Sequence, residues 1–194
     1  MANRSILHTA YAEVQRPLLL IIVLLMGLIL SAAYPSDLTS YPVLPTEAEI
    51  PAEVTLTEHY VRFVPTALQV ALPVVLGDKI GLVQLLYVAV STTIVTHGAK
   101  QLLDDVWVVD TRLGQRPNGG SINMPSGHSS MASCAVYFIG RRYSVRLGLL
   151  LLVILGLTMY ARVILNAHTI SAVIAGALVG CLTTAWFTSP RSAQ

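Results

Sequence analysis

The sequence predicts an all-α fold, a polytopic membrane bundle of six transmembrane helices, and three observations carry that prediction. Only 11% of the 194 residues are charged, against about a quarter in ordinary soluble domains. Hydrophobic residues make up 54% of the chain, and its mean hydropathy is +0.67. The apolar residues also fall into six runs; at ~20 residues per crossing these would use ~120 positions and leave little for a soluble domain. The chain therefore reads as a single membrane domain over residues 1–194. A formal net charge of +2 lacks the dense basic surface that nucleic acid requires, so no nucleic-acid partner is expected. Cys134 and Cys181 both lie in apolar runs and read as small hydrophobes, not as a disulfide or a metal site.

Pro17 to Tyr34 carries no charge and exceeds the apolar region of a signal peptide, about 7–15 residues, so it reads as a membrane helix. Residues 35–62 hold Asp37, Glu47, Glu49, Glu53 and Glu58 among several prolines; unpaired carboxylates do not lie in lipid, which makes this an external loop with a short surface helix. Phe63 to Gly77 is the second span, with Pro65 and Pro73, residues that membrane helices tolerate where neighbours satisfy the freed carbonyls. Ile80 to Ala99 is the third, after an Asp78-Lys79 turn. A polar loop over 100–128 runs into the fourth span, Pro125 to Gly140. The fifth is Leu147 to Leu165 and the sixth Thr169 to Thr188, joined by a second candidate site loop at 162–168. Ala172, Ala175, Gly176 and Gly180 give the last span a face suited to close helix packing.

Basic residues set the orientation. With a cytoplasmic N-terminus, Arg4, Arg16, Lys79, Arg141, Arg142, Arg146 and Arg191 lie inside and five basic residues lie outside, and the Arg141/Arg142/Arg146 cluster sharpens the bias. The loops 35–62, 100–128 and 162–168 then share the external face. Trp107, Trp186, Tyr34 and Tyr60 read as interface aromatics.

Polar groups concentrate at the outer ends of the third to sixth spans. Pro125 and Ser126 open the fourth helix, so the free N–H groups of its first turn and the positive end of its dipole face outward, and Gly127 lets an anion approach the backbone. A phosphate fits there, with Arg116 and His128 on either side in sequence. Arg162 and His168 straddle the next turn. On one continuous helix their side chains would point about 120° apart, whereas a break near Asn166 lets them converge. At the start of the sixth helix the dipole disfavours imidazolium and keeps the His168 ring neutral. Two histidines and two arginines on one face are the groups that phosphoryl transfer through a phosphohistidine needs. One His attacks phosphorus, the other protonates the leaving oxygen, and the guanidinium groups bind the equatorial oxygens.

Arg116-Pro117, Pro125-Ser126-Gly127-His128 and Arg162-x5-His168 stand in the order of the type-2 phosphatidic acid phosphatase family, which the second half of the chain resembles. The resemblance implies that His168 is the nucleophile and His128 the general acid, and that Arg116, Ser126, Gly127 and Arg162 bind the phosphate. It also implies six helices, no metal and no other cofactor. The expected partner is a phosphorylated lipid of the bilayer (undecaprenyl diphosphate, a phosphatidate-type lipid or lipid A), and the R-P-x-G-G-S run is similar to the lipid A phosphatase branch. The expected location is a bacterial inner membrane, with the site facing the periplasm.

Three positions depart from the family pattern. The lysine expected before Arg116 is Val109; Lys100, counted among the substrate-binding residues, or Arg112 takes its place. The serine before Arg162 is Ala161. The aspartate expected after the nucleophile, which would fix its imidazole tautomer as the buried Asp of a serine-protease triad does, is Ala172. Asp104, Asp105 and Asp110 are its candidate replacements, with Ser171 nearby. Without that carboxylate, transfer of the phosphoryl group to another lipid and binding of a lipid phosphate without chemistry stay open as alternatives to hydrolysis. His97 reads as structural, His8 and His59 carry no signal, and Arg62 has no assigned role.

Overall fold

A computed structural model of the chain describes residues 5–41 and 50–191. Arg4, counted to the inner side, and Glu47 and Glu49 of the external loop lie outside the described residues. Helices α1 (Ile6–Ala12) and α2 (Leu18–Ala33) come first, then α3 (Ala52–His59) and α4 (Val64–Val75). Helix α5 (Lys79–Leu103) leads into a two-stranded antiparallel ribbon, β1 (Trp107–Val108) and β2 (Thr111–Arg112), with Trp107 opposite Arg112. Helices α6 (Gly127–Arg142), α7 (Val145–Ile164) and α8 (Ile170–Phe187) complete the bundle. The fold is all-α apart from the ribbon.

Each of the six apolar runs is helical, yet only three helices among the described residues, α5, α7 and α8, have the length and composition to cross a membrane unaided. Helix α2 is apolar but 16 residues long, α4 has 12 residues and α6 has 16. The six-span count is therefore matched in helices and not in full-length spans. Helix α4 has Pro65 at its start and Pro73 inside its last turn, and α6 buries a polar face of Ser129, Ser130 and Ser133 that lowers its hydropathy.

Polarity is inverted relative to a soluble bundle. Leu19, Leu150 and Val153 are exposed at 77%, 66% and 64%, while Ser129, Ser133 and Thr184 are fully buried. Large contiguous apolar exposure of this kind suits lipid tails and would aggregate in water. The chain is a multi-pass membrane protein.

Helix α6 lies at the centre, packed on α7 and α8, and α8 also packs on α2 and α5. The small residues of α8 allow this close approach: a methyl group at Gly176 or Gly180 would collide with the carbonyl oxygens of Ser126 and Ser130 on the α6 side. The Ser126 N–H donates across the contact to the Ala172 carbonyl at 2.9 Å, which fixes the start of α6 against the start of α8. At the opposite end, Arg142 is buried. Its Nε and Nη2 donate to the two carboxylate oxygens of Asp78 at 2.6 and 2.7 Å, and its Nη1 donates to Gln84 Oε1 at 3.1 Å and the Ser189 carbonyl at 3.0 Å. Burial alone would raise the Asp78 carboxyl, but hydrogen bonds from Arg142, the Gly81 N–H and Tyr143 outweigh it and hold the group at about 2. Of the basic cluster counted to the inner side, Arg142 is thus an internal staple between the α4–α5 turn, α6 and the segment after α8.

Candidate active site

The site is assembled by three segments at one end of the bundle. The loop between α5 and α6 is held by its own backbone: Leu113 N–H donates to the Val106 carbonyl at 2.9 Å, Asn123 N–H to Gly114 at 2.9 Å, and Asn118 N–H reaches across to the Asn166 carbonyl at 3.1 Å. Asp104 organises the loop, its Oδ1 accepting the Ile122 N–H at 2.7 Å and its Oδ2 accepting from Arg112 at 2.9 Å. Ile122 has a φ of +61°, a left-handed conformation that β-branched residues rarely adopt. Its carbonyl accepts from Lys100 Nζ at 2.9 Å and from Arg116 Nη2 at 3.3 Å, so one oxygen gathers two cations. Lys100 also lies beside Gly127, its Cε 4.0 Å from where a Cβ would stand.

The second segment is the α7–α8 turn. Helix α7 ends at Ile164, Asn166 takes a φ of +50°, and the N–H groups of Ala167 and His168 both donate back to the Arg162 carbonyl at 3.1 Å. This break carries His168 back beside Arg162. His168 is 2% exposed. Burial, followed by the positive charges of Lys100, Arg162 and Arg116, pushes its imidazole down to about 2, so the ring is neutral at physiological pH.

Helix α3 and the turn after it form the third segment. Glu58 Oε1 accepts from Arg162 Nη1 at 2.8 Å and from Arg62 Nη1 at 2.7 Å, and Arg62 Nη1 lies 2.6 Å from His128 Nε2. A guanidinium only donates, so Nε2 of His128 is the unprotonated nitrogen in this arrangement. Among the described residues of this cluster, Arg62 Nε, Arg116 Nε, Arg162 Nε and Ser126 Oγ are buried without a hydrogen-bond partner, as is the acceptor Glu58 Oε2. Buried donors are normally satisfied, and a cationic cluster with several of them free has the chemistry to take an oxyanion.

Lys100, Arg116, Ser126, Gly127, His128, Arg162 and His168 are thus assembled around one site. Arg112 is not among them, because Asp104 and Asp105 hold its guanidinium at 2.9 and 2.7 Å. The loop aspartates do not serve His168: Asp104 and Asp105 are engaged with Arg112, Asp110 is exposed, and Ser171 exchanges hydrogen bonds with Ser36. The His168 ring meets Asn123 instead, Nδ1 to Oδ1 at 3.3 Å. Ala172 faces Leu113, Met124 and Ala175, an apolar contact that would leave a carboxylate unsolvated. Sequence reading missed Glu58, Arg62 and Asn123. The i,i+4 spacing of Glu58 and Arg62 was a visible signal, whereas Asn123 had none beyond its place next to the Pro-Ser-Gly-His run.

A family model for the PAP2 superfamily matches residues 81–193. Two curated relatives from two strains of Helicobacter pylori, each named lipid A 1-phosphatase, are 45% identical over 172 residues and 44% identical over 171 residues. The alignments cover 89% and 88% of this chain, and 88% of each relative. No solved structure matches the chain.

Proposed function

The chain belongs to the PAP2 superfamily, and on that footing we propose that it is a lipid phosphatase that removes a phosphate group from a lipid of the outer leaflet by way of a phosphohistidine. The 1-phosphate of lipid A is the first substrate to test, because both curated relatives carry that activity in their names and align over nearly their whole length. The single observation that carries the reading is the set of unpartnered buried donors, Arg62 Nε, Arg116 Nε, Arg162 Nε and Ser126 Oγ, beside a neutral, buried imidazole.

The groups divide the work as follows. Lys100, Arg116 and Arg162 neutralise the phosphate, and Ser126 with the backbone at Gly127 binds its oxygens at the positive end of α6. His168 Nε2 attacks phosphorus; the N–P bond forms and the bond from phosphorus to the lipid oxygen breaks. That oxygen takes a proton from His128. In the second step water attacks phosphorus, the N–P bond breaks, and His128 accepts the water proton as inorganic phosphate leaves. The lone pair that Arg62 holds on His128 Nε2 belongs to this second, proton-accepting form. For the first step His128 carries the proton, and Arg62, which only donates, gives up its contact with Nε2. The proposed orientation has the N-terminus in the cytoplasm and the site facing the periplasm.

The test is release of inorganic phosphate by the purified protein from a panel of lipid phosphates, in the presence of chelator. Release is expected with lipid A 1-phosphate, without added metal, and is expected to vanish in the His168→Ala and His128→Ala variants. Full release by both variants contradicts the assignment. Label that appears in a second lipid instead of in solution identifies a phosphotransferase.

A further inference from the structure

We propose that Asn123 is the positioning residue for the nucleophile, its side-chain carbonyl holding His168 in the tautomer that a carboxylate at position 172 would otherwise select. The inference rests on the reading of His168 as nucleophile.

The orientation of the Asn123 amide is fixed by its neighbours. Its Oδ1 accepts the backbone N–H of Thr169 at 3.1 Å, and its Nδ2 donates to Thr169 Oγ1 at 3.0 Å and to the Leu113 carbonyl at 3.4 Å. Turning the amide over would set its NH2 against the Thr169 N–H and its oxygen against the Leu113 carbonyl, losing both of those bonds, whereas the Thr169 hydroxyl can serve either orientation. Oδ1 therefore faces His168, and a carbonyl oxygen only accepts. Nδ1 of His168 must carry the proton, which leaves the Nε2 lone pair free for attack. Thr169 is itself fixed, since its Oγ1 caps α8 by accepting the Ala172 N–H at 3.2 Å. Asn123 is 3% exposed, so water does not compete for its oxygen. One amide thus ties the tautomer of His168 to the start of α8.

A carbonyl differs from a carboxylate in one respect that matters: it orients the imidazole without adding negative charge. The charged groups acting on His168 are Lys100 from α5, Arg116 from the loop and Arg162 from α7, all positive. With a neutral partner, the ring keeps its lone pair far into the acidic range. Placing a carboxylate at position 123 would draw the proton affinity of the ring upward.

Three variants of the full-length protein in detergent, assayed on one lipid phosphate across pH, test this. Asn123→Ala is expected to lower kcat by roughly 100-fold or more with KM within about 2-fold, the range seen when an imidazole loses its orienting partner. Asn123→Asp retains the acceptor and is expected to keep kcat within about 10-fold of wild type, while the acid limb of its pH profile moves up by at least about one pH unit. A residue that merely braced the loop through its Nδ2 bonds would lose as much kcat in Asn123→Asp as in Asn123→Ala. Asn123→Ala within about 3-fold of wild type, or a folded Asn123→Asp protein that is inactive at every pH or has an unmoved limb, overturns the inference. If Asn123→Ala fails to fold, Asn123→Asp alone decides. His168→Ala separates the two levels: an inactive His168→Ala beside an active Asn123→Ala leaves the nucleophile in place and removes only the role of Asn123, and an active His168→Ala removes the nucleophile itself.

Discussion

His168 is a base that the folded state keeps from charging. Its folded value of about 2 lies below the ~6.5 of an unfolded histidine, so the unfolded chain binds the additional proton. The sign is therefore fixed: stability falls as pH drops below about 6.5, at most by about 1.4 kcal/mol per pH unit, until the folded group titrates near its own value. A His168→Gln variant is expected to lose less thermal stability than wild type between pH 7 and pH 5, and equal losses would contradict the burial argument. Glu58 acts at the same scale with opposite charge. Its Oε1 is shared by Arg162 and Arg62, so an incoming phosphate competes with a carboxylate for Arg162. Glu58→Gln removes that competition and is expected to tighten inhibition by inorganic phosphate by roughly 5- to 10-fold, the low end of ordinary site-to-site coupling. An unchanged inhibition constant would show that Glu58 does not share the phosphate site.

At the scale of elements, the contact between α6 and α8 positions Ser126 and Gly127 at the start of α6. Gly176→Ala places a methyl group against the Ser126 carbonyl; it is expected to cost about 1–3 kcal/mol as overpacking and to lower kcat/KM by displacing Ser126. A melting temperature and a kcat/KM both equal to wild type would contradict this. The staple at the other end is energetically separate. Asp78→Ala leaves the Arg142 guanidinium buried and unpaired and is expected to destabilise by roughly 3–5 kcal/mol, read as a large fall in melting temperature with little change in the KM of whatever protein stays folded. The helices and their order were legible because long apolar runs broken by Asp78-Lys79, Arg141-Arg142 and Asn166 leave few other readings. The loop between α5 and α6 was not legible. Its shape depends on Asp104 reaching Ile122 and Arg112, and no local pattern records a pairing across 18 residues. For the same reason Lys100 and Arg112 were equivalent in sequence, and only the Ile122 carbonyl separates them. The sequence points to the aspartates as partners of His168 because charge is the visible signal; the amide that meets it is neutral and 45 residues away.

At the scale of the whole molecule, the buried charges among the described residues gather in two places, the Asp78–Arg142 staple and the cationic site. The proposed orientation puts the site outside. A cysteine at Val109, 89% exposed on the ribbon, is expected to react with an impermeant maleimide in intact cells, while one at Arg146 is expected to react only after the membrane is opened. The reverse pattern would invert the topology. The central claim, that phosphate passes through His168, is tested most directly by rapid quench of the purified protein with lipid A labelled at its 1-phosphate, followed by mapping of the label. The expected result is an acid-labile, base-stable label on His168 that forms in the presence of chelator and is absent from His168→Ala. Label on another residue, or phosphate release at the wild-type rate by His168→Ala, would contradict it.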